Sequence, residues 1–366
     1  MMKKLLIFAL FALPCVAWAQ EPAYSFIVFP DYQYMSAGGD LNKLAAVPTW
    51  IGANKATYAP NLLFMASTGD DVDTSNSTQW GIYTPYFYNN IMALGIPFGS
   101  AVGNHDYDGS PSNPTSRSTS LFTSNLLTSS NGVQNQTYYG GAWSAAVTDP
   151  EVNFWLQVPN GSSTIGMLFL EFCPRAAALS WGAGIVAAHP SFSDWWVFTH
   201  EAVTSAGALS TPGTSGTSAC FSTGSDGTSD SVNGGGTQLW AAIQSYPNVR
   251  GIFNGHFSGG AGDYAAHTTM TGTNGNTVLG AFVNHQFDTG GTSSGLQTCM
   301  TIYQVTPGST TMGLSVTTGC PNAGGTGVFG WQTDDSGNDS YTTTLQLGRR
   351  RQFIERRNER QCENER

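Results

Sequence analysis

Three consecutive residues of this sequence carry side chains suited to catalysis: Asn104, His105 and Asp106, directly after Gly103. An amide oxygen can bind a metal ion, an imidazole can transfer protons, and a carboxylate can orient the imidazole. Gly103 permits a backbone turn that other residues resist, so neighbouring side chains can point in different directions. Taken alone, the four residues are better explained as an ordinary turn. Their meaning depends on the elements that position them.

The residues around this group predict a parallel β-sheet. Three short apolar runs indicate strands and alternate with two predicted helices, which is the βαβ order of such a sheet. Each predicted strand is followed by an acid or an amide, namely Asp31, Asp70 and Asn104. Since the carboxyl ends of parallel strands lie side by side, we expect these three side chains to converge. The predicted strands are 24–30, 61–66 and 96–102, and the predicted helices are 41–55 and 80–94.

Two histidines farther along the chain also follow predicted strands. His200 comes directly after the apolar run 195–199, and His256 comes shortly after the run 249–253. A stretch at 107–136, rich in Ser, Thr and Asn, indicates a long surface loop that could form one wall of a cleft. Further helices are predicted at 176–188 and 238–246, and further strands at 153–158, 164–172, 278–283 and 300–305.

Charge is distributed unevenly along the 366 residues. Seven of the fourteen Lys and Arg residues lie at 349–366, a stretch that we expect to be a solvated or disordered tail. Between 20 and 348 there are five basic residues against twenty acidic ones, for a net charge of about −15. Such a surface repels a nucleic-acid backbone and suits a protein that collects cations. We therefore expect no nucleic-acid partner.

The first nineteen residues have the features of a secretory signal peptide. Lys3 and Lys4 precede an apolar run at 5–12, and Ala17-Trp18-Ala19 fits a cleavage site. No later run is long and apolar enough to span a membrane. The sequence therefore predicts cleavage after 1–19 and a secreted or periplasmic protein.

The remaining chain is expected to form a single domain at 20–348, followed by the charged tail. A Gly-, Ser- and Thr-rich stretch at 204–237 cannot bury much apolar surface. We expect it to be an exposed insertion that the domain does not need for folding.

Four cysteines lie in this predicted domain: Cys173, Cys220, Cys299 and Cys320. Disulfides are plausible in an exported protein. Cys299 and Cys320 lie in neighbouring strand-like segments and are the preferred pair, which leaves Cys173 for Cys220. The sequence does not fix this pairing.

Five segments, taken in order, resemble the calcineurin-like metallophosphoesterase superfamily. The pattern of that family is D-x-H, G-D-x-x-D, G-N-H-[DE], a lone His after a strand, and G-H-x-H. Gln33 stands where the family has its first His, as in an exported bacterial branch that the sequence also resembles at Asn284-His285-Gln286. The matching segments are Asp31-Tyr32-Gln33, Gly69-Asp70-Asp71-Val72-Asp73, Gly103-Asn104-His105-Asp106, Thr199-His200-Glu201 and Gly255-His256-Phe257-Ser258.

The resemblance implies a four-layer α/β/β/α sandwich of two mixed sheets, with a site for two divalent ions such as Mn, Fe or Zn. Gln33 and Ser258 replace two imidazoles of the first ion's site, and their oxygens are weaker ligands than imidazole for zinc or iron. We therefore expect the first site to be the weaker of the two. The implied ligands are Asp31 and Gln33 for the first ion, Asn104, His200 and His256 for the second, and Asp70 for both.

The resemblance also implies hydrolysis of a small-molecule phosphomonoester or phosphodiester. A metal-bound hydroxide would attack phosphorus in line, His105 would protonate the leaving oxygen, and Asp106 would hold His105. A catalytically weak, metal-holding binding protein on the same fold is the first alternative, because the first site is incomplete. An adhesion module, suggested by the Gly, Ser and Thr content, is the second, and the ordered ligands argue against it.

Other polar residues near these motifs have simpler explanations. Asp71 and Asp108 are expected to be solvated acids, and Asp73 is as well explained by a loop cap as by catalysis. His189 competes with His200 as a predicted ligand, but His200 directly follows a strong predicted strand. Two further histidines are expected in packing or at the surface, His267 and His285.

Overall fold

The structure, a computed structural model, describes nine ranges of the chain between Glu21 and Gly348. These ranges are 21–38, 41–109, 117–143, 152–211, 234–257, 265–286, 299–321, 329–330 and 340–348. The predicted signal peptide, the charged tail, Cys220 and Ser258 lie outside the described residues.

Two mixed β-sheets form the centre of the protein. The strands, in chain order, are β1 (Tyr24–Phe29), β2 (Leu62–Ser67), β3 (Phe98–Ser100), β4 (Tyr139–Ala142), β5 (Phe154–Asn160), β6 (Ser163–Phe169), β7 (Asp194–Phe198), β8 (Val249–Asn254), β9 (Ala265–Thr271), β10 (Thr277–Val283), β11 (Met300–Pro307), β12 (Thr311–Pro321), β13 (Phe329–Gly330) and β14 (Ser340–Gln346). In the described part of the chain, the first sheet has the order β13-β12-β11-β1-β2-β3, with β14 against β12. The second has the order β4-β5-β6-β7-β8-β10-β9.

Parallel pairing is concentrated in the middle of each sheet. In the first sheet β1, β2 and β3 are parallel, as the sequence predicted, and β11 lies antiparallel to β1. In the second sheet β6, β7, β8 and β10 are parallel. All residues of β1, β7 and β8 are buried, as expected for strands covered on both faces.

Helices flank the sheets and are joined by short irregular turns. They are α1 (Gln33–Gly38), α2 (Leu41–Tyr58), α3 (Ser77–Tyr83), α4 (Asn89–Met92), α5 (Ser120–Phe122), α6 (Ala176–Ala188) and α7 (Gly236–Ile243). In the ranges given above, no helix is both long and apolar enough to cross a membrane.

The two sheets pack face to face, with helices outside them. Phe26 of β1 points at the second sheet, with ring centroids 4.9 Å from Trp196 and 5.5 Å from Phe253. Phe29 lies on the opposite face of β1 and packs at 5.2 Å against Phe87, in the helical segment between α3 and α4. On the far side of the second sheet, α6 and α7 cover a separate apolar cluster. This is the four-layer α/β/β/α sandwich that the sequence predicted.

The helix predicted at 80–94 is present but is not uniform. It runs from α3 through a π-helical turn at Thr84–Tyr88 into α4. Pro85 lies in that turn and has no backbone N–H to donate to the preceding turn, which accounts for the irregularity.

The prediction of a long surface loop at 107–136 is wrong in its second half. After α5 the chain forms a π-helical turn at Thr123–Leu127, and the side chains of Phe122, Leu126 and Leu127 are buried. Trp80 packs against Phe122 with ring centroids 5.9 Å apart. The apolar spacing of these residues is helical, but it is short and surrounded by Ser and Thr, so composition hid it.

The prediction that 204–237 is an exposed insertion is also wrong at both ends of the stretch. Ser210 is buried, and its hydroxyl oxygen accepts a hydrogen bond at 2.8 Å from the N–H of Gly236, where α7 begins. Gly236 leaves no room for a side chain, because a Cβ there would lie 1.9 Å from the carbonyl oxygen of Ala202. Residues near 210 and 236 therefore belong to the packed structure, while 212–233 lie outside the described residues.

The preferred disulfide is confirmed. Cys299 and Cys320 are bonded, and their Cα atoms lie 3.9 Å apart beside the paired ends of β11 and β12. Cys173 is also disulfide-bonded, and its predicted partner Cys220 lies outside the described residues.

Candidate metal centre

The predicted metal ligands lie at the carboxyl ends of five strands. Asp31, Asp70 and Asn104 follow β1, β2 and β3, and His200 and His256 follow β7 and β8. Because the two sheets face each other, the loops from both meet at one edge of the sandwich. Asp70, His200 and His256 each present a ligand atom there, and these three atoms lie within 4.8 Å of one another.

His200 is fully buried and faces oxygen atoms with both ring nitrogens. Nδ1 lies 2.8 Å from the carbonyl oxygen of Thr68, while Nε2 lies 3.1 Å from Asp70 Oδ2 and 3.1 Å from Asn104 Oδ1. With Nδ1–H donating to the carbonyl, Nε2 can face these oxygens either with a second proton or with a bound cation. A cation on the Nε2 side therefore stabilises this arrangement.

The charges of the cluster lead to the same conclusion. Burial alone would lower the pKa of His200, but the carboxylates of Asp70 and Asp31 raise it to about 10. The pKa of Asp31 is raised to about 8, mainly by burial, while His200 acts to lower it and the Asp70 carboxylate acts to raise it. For Asp70 burial acts upward, yet His200 and His105 bring its pKa down to about 2. Two buried carboxylates thus need positive charge close to them.

His256 contributes a neutral ring. The ring Nδ1 lies 2.9 Å from Asn104 Oδ1, and the backbone N–H of His256 donates to Asp31 Oδ2 at 3.0 Å. Burial, together with the neighbouring His200, lowers the pKa of His256 to about 3. The ring therefore keeps a lone pair at neutral pH, as a metal ligand must.

Two buried oxygen atoms at the site have no hydrogen-bond partner among the described residues: Asp31 Oδ1 and Gln33 Oε1. Burying a polar atom without a partner is costly, so such atoms indicate a missing ligand. Carboxylate and amide oxygens suit a divalent cation. The residues present therefore fit a metal ion, with carboxylate oxygens of Asp31 and Asp70 beside the rings of His200 and His256.

The glycines of the motifs have a steric role. A Cβ at Gly103 would lie 2.1 Å from Asp70 Oδ1, and a Cβ at Gly255 would lie 2.0 Å from Asp31 Oδ1. Side chains at either position would displace a predicted ligand. The glycines thus allow the backbone to approach the carboxylates closely.

His105 lies beside this cluster and is held by Asp73. Its backbone N–H donates to Asp70 Oδ1 at 2.9 Å. Its ring Nδ1 lies 2.6 Å from the carbonyl oxygen of Asp73 and 3.4 Å from the Oδ1 atom of the same residue. The His105 side chain is 15% exposed, so solvent or a substrate can reach it. A proton on Nδ1 leaves Nε2 as the nitrogen that can exchange a proton with a substrate.

The role predicted for Asp106 is wrong. Its carboxylate accepts hydrogen bonds from backbone N–H groups of two loops instead of contacting the His105 ring. Asn104, His105 and Asp106 form a 3₁₀ turn, which directs the acid inward and the imidazole outward. The donors are the N–H groups of Asp70 at 2.9 Å, Asp71 at 3.0 Å, Val72 at 3.2 Å and Gly103 at 2.8 Å.

Asp71 is not a solvated acid, contrary to the sequence prediction. It is buried, and its carboxylate accepts hydrogen bonds from the hydroxyls of Tyr83 at 2.7 Å, Ser100 at 2.8 Å and Ser67 at 2.9 Å. Burial raises the pKa of Asp71 to about 6. The residue ties β2, β3 and α3 together directly below the site.

Asp108 differs from Asp71 in being partly exposed. Its carboxylate accepts a hydrogen bond from the Ser118 hydroxyl at 2.7 Å and from the Ser120 N–H at 2.8 Å. These contacts direct the Asp108 carboxylate to the start of α5, although Asp108 lies only four positions after the predicted ligand Asn104.

Sequence reasoning missed the loop after β6. Phe172 packs against both ligand histidines, with ring centroids 5.0 Å from His256 and 5.7 Å from His200. Arg117 donates to the carbonyl oxygens of Phe172 at 3.1 Å and Cys173 at 3.0 Å, which fixes the loop. Arg117 is one of only five basic residues between 20 and 348, and that rarity was the available signal.

Glu201 was also missed, although it follows a predicted ligand. It is buried, and its Oε2 lies 4.0 Å from His256 Nε2. Burial raises the pKa of the Glu201 carboxyl to about 7, and a bound cation would lower it again.

The other histidines lie in packing contacts. His189 Nδ1 lies 2.9 Å from the carbonyl oxygen of Ile185, and its ring packs at 4.5 Å against Trp155. His267 stacks on Tyr341 with centroids 3.8 Å apart, and His285 is buried. His189 is therefore not the alternative to His200 that the sequence allowed.

Comparisons with known proteins give limited information about this chain. Neither a family model nor a curated protein matches it. A solved structure of a dimetal phosphatase from Danio rerio is similar over 80% of this chain and 96% of that chain, at 10% identity and a TM-score of 0.44. The geometry of the chain itself is therefore what supports an assignment.

Proposed function

We propose that the protein is a metal-dependent phosphoesterase that hydrolyses small-molecule phosphomonoesters or phosphodiesters. The observation that carries the proposal is the convergence of Asp31, Asp70, Asn104, His200 and His256 at one edge of the sandwich. The two unpartnered buried oxygens, Asp31 Oδ1 and Gln33 Oε1, support an ion between these side chains. The order of the motifs in the sequence, which resembles the calcineurin-like superfamily, supports phosphoester hydrolysis as the reaction.

Two groups of ligands would hold two ions. Asp70 would serve both ions. Oxygen atoms of Asp31 and Gln33 would hold one ion, and Asn104, His200 and His256 would hold the other. A divalent ion bound there would act as a Lewis acid on a phosphoryl oxygen and lower the pKa of water.

The remaining chemistry falls to the side chains around the ions. His105 would donate a proton from Nε2 to the leaving oxygen, because Nδ1 is occupied by Asp73. Phe172 covers the faces of His200 and His256 and limits the access of water to these ligands. Asp106 keeps the loops after β2 and β3 in register.

The test is metal analysis combined with phosphoester turnover on the purified chain. We expect bound divalent metal and metal-dependent hydrolysis of p-nitrophenyl phosphate or bis-p-nitrophenyl phosphate. Asp70→Ala and His200→Ala should lose metal and activity together, while Asp108→Asn, a change of an acid outside the cluster, should keep both. Absence of bound metal in the wild type under all metal supplements would refute the proposal.

A metal-holding binding protein is the second candidate. The observation that favours it is that Asp31 and Gln33 offer only oxygen atoms as ligands. Oxygen ligands bind zinc or iron less well than imidazole does. Bound metal without turnover of either phosphoester would select this candidate.

We also propose that the protein is secreted or periplasmic. The disulfide between Cys299 and Cys320 supports an oxidising compartment. Fractionation of expressing cells, with determination of the mature N-terminus, tests this. Recovery of an uncleaved chain in the cytoplasm would contradict it.

A further inference from the structure

The Glu201 carboxylate lies behind a predicted metal ligand rather than among the ligands. Glu201 directly follows His200 and is 4% exposed. Its Oε2 faces His256 Nε2 at 4.0 Å. A buried acid in this position either has a function or lowers stability without compensation.

The two nitrogens of His256 have different surroundings. Nδ1 faces the ligand cluster, 2.9 Å from Asn104 Oδ1. Nε2 faces away from it, is buried, and has no hydrogen-bond partner in the ranges that the structure describes. Nδ1 is therefore the nitrogen that can bind an ion, and Nε2 is the nitrogen that needs an acceptor.

We propose that Glu201 is a positioning residue for the second metal ion, accepting a hydrogen bond from the Nε2–H group of His256. The proposal rests on the proposed metal centre and adds the residue that orients one of its ligands. When Nδ1 gives its lone pair to an ion, the neutral ring carries its proton on Nε2, where Glu201 can accept it. A carboxylate in this position fixes the tautomer and orientation of the imidazole and strengthens it as a ligand.

The separation of 4.0 Å is longer than a hydrogen bond, and the tautomer explains this. Without an ion, Nδ1–H donates to Asn104 Oδ1, so Nε2 and Glu201 face each other as two acceptors. With an ion on Nδ1 the proton is on Nε2, and a small movement of either side chain closes the gap. Hydrogen bonds around metal and catalytic sites commonly tighten on binding in this way.

The segment that carries Glu201 is held firmly. Glu201 is hydrogen-bonded to the side chain of Ser210, whose oxygen accepts from the Gly236 N–H at 2.8 Å. Val203 is fixed on both sides by Asn254, with its N–H at 2.8 Å from Oδ1 and its carbonyl at 2.9 Å from Nδ2. Since Asn254 ends β8, two residues before His256, the segment that carries the acid is tied to the strand that carries the imidazole.

The test measures metal affinity rather than activity. Apo protein, prepared with a chelator, is titrated with Co²⁺ or Zn²⁺ against a competing indicator. Glu201→Ala removes the acceptor and should weaken binding of the tighter ion by roughly 10–100-fold. Glu201→Gln keeps the shape and one acceptor oxygen but loses the charge, and it should give a smaller loss in the same direction. Asp108→Asn is the matched control and should bind as the wild type does.

Two measurements keep this test decisive. The absorption spectrum of the Co²⁺ protein should change in Glu201→Ala, since the ligand field depends on the orientation of His256. Nitrogen-15 NMR of the Zn²⁺-loaded wild type should show a His256 Nε2–H that is protected from exchange. This measurement needs no variant, so it can be made even if the variants do not fold.

Wild-type affinity in both Glu201 variants, or His256 protonated on Nδ1 in the loaded protein, would overturn the proposal. Tight metal binding that depends on Glu201 in a protein without phosphoester turnover would instead refute the proposed function and leave this inference intact.

Discussion

The Nδ1 atom of His105 lies 2.6 Å from the backbone carbonyl oxygen of Asp73. The main chain thus fixes the tautomer of this imidazole, and the Asp73 carboxylate at 3.4 Å adds a second, weaker contact. A backbone carbonyl cannot be removed by changing a side chain. The orientation of His105 should therefore tolerate substitution of Asp73 better than a pair of side chains would.

The first prediction distinguishes the role of His105 from that of Asp73. His105→Ala should lower kcat by about 10²–10⁴-fold while leaving the metal content unchanged, because in the proposed reaction the ring would transfer a proton and would not hold an ion. Asp73→Asn should cost less than about tenfold, since its carbonyl stays in place. Steady-state kinetics with metal analysis checks both. Loss of metal in His105→Ala would show that the ring is a ligand.

The second prediction concerns Asp106. Asp106→Asn places an amide where four backbone N–H groups need an acceptor, and it should lower the free energy of unfolding by about 2–4 kcal/mol. Urea denaturation measures this, with Asp108→Asn as the exposed control. A variant with wild-type stability and strongly reduced kcat would restore the catalytic role that the sequence predicted.

The third prediction concerns removal of the ions. Chelation should lower Tm, because ions that bind only the folded state stabilise it by mass action. His200→Ala and His256→Ala should abolish the chelator-sensitive part of Tm, since each removes one of a few ligands. Asn90→Ala, on the exposed face of α4, is a suitable control. Equal Tm values for wild type with and without chelator would contradict a metal centre.

The fourth prediction restores an imidazole to the weaker site. Gln33→His should raise the occupancy of the first ion and shift its preference toward zinc-like ions, because imidazole is a softer donor than an amide oxygen. The double change with Ser258→His, a residue outside the described ranges, should strengthen the effect. If a metal titration shows that the wild type binds two ions with equal, tight affinity, other residues complete the first site.

The fifth prediction concerns pH and Asp71. Its pKa is raised to about 6 by burial, so the folded metal-free protein binds more protons than the unfolded chain between about pH 4 and 6. The contribution of Asp71 to stability should fall as pH rises through that window. The stability of wild type relative to Asp71→Asn should therefore decrease by roughly 1–3 kcal/mol from pH 4 to pH 7. Urea denaturation with chelator present measures it, and a pH-independent difference would contradict it.

The resemblance to metallophosphoesterases implied the sandwich, and the shared edge of parallel strand ends predicted that Asp31, Asp70 and Asn104 lie near one another. Sequence reasoning failed where the outcome depends on directions inside a tight turn. Asp106 and His105 are adjacent, and nothing in their spacing shows that one turns toward backbone N–H groups and the other toward Asp73.

Burial of Asp71 depends on contacts that are not local in the sequence. Three hydroxyls from Ser67, Tyr83 and Ser100 surround its carboxylate, and they come from three different elements. The spacing of these residues in the sequence does not predict that they contact one carboxylate. Glu201 was missed for the same reason, because its neighbour His256 lies more than fifty positions away.

The position of β11 beside β1 affects when the site can form. Tyr32 lies between the predicted ligands Asp31 and Gln33, and its hydroxyl donates to the carbonyl oxygen of Cys299 at 2.7 Å, a partner 267 positions later. All six predicted ligands precede residue 258, yet the loop that carries two of them is anchored by the last third of the chain. A chain that is still being synthesised therefore contains the predicted ligands before it contains the anchor. Because such distant pairing is slow, we expect the loop that carries Asp31 and Gln33 to be fixed only when the polypeptide is nearly complete.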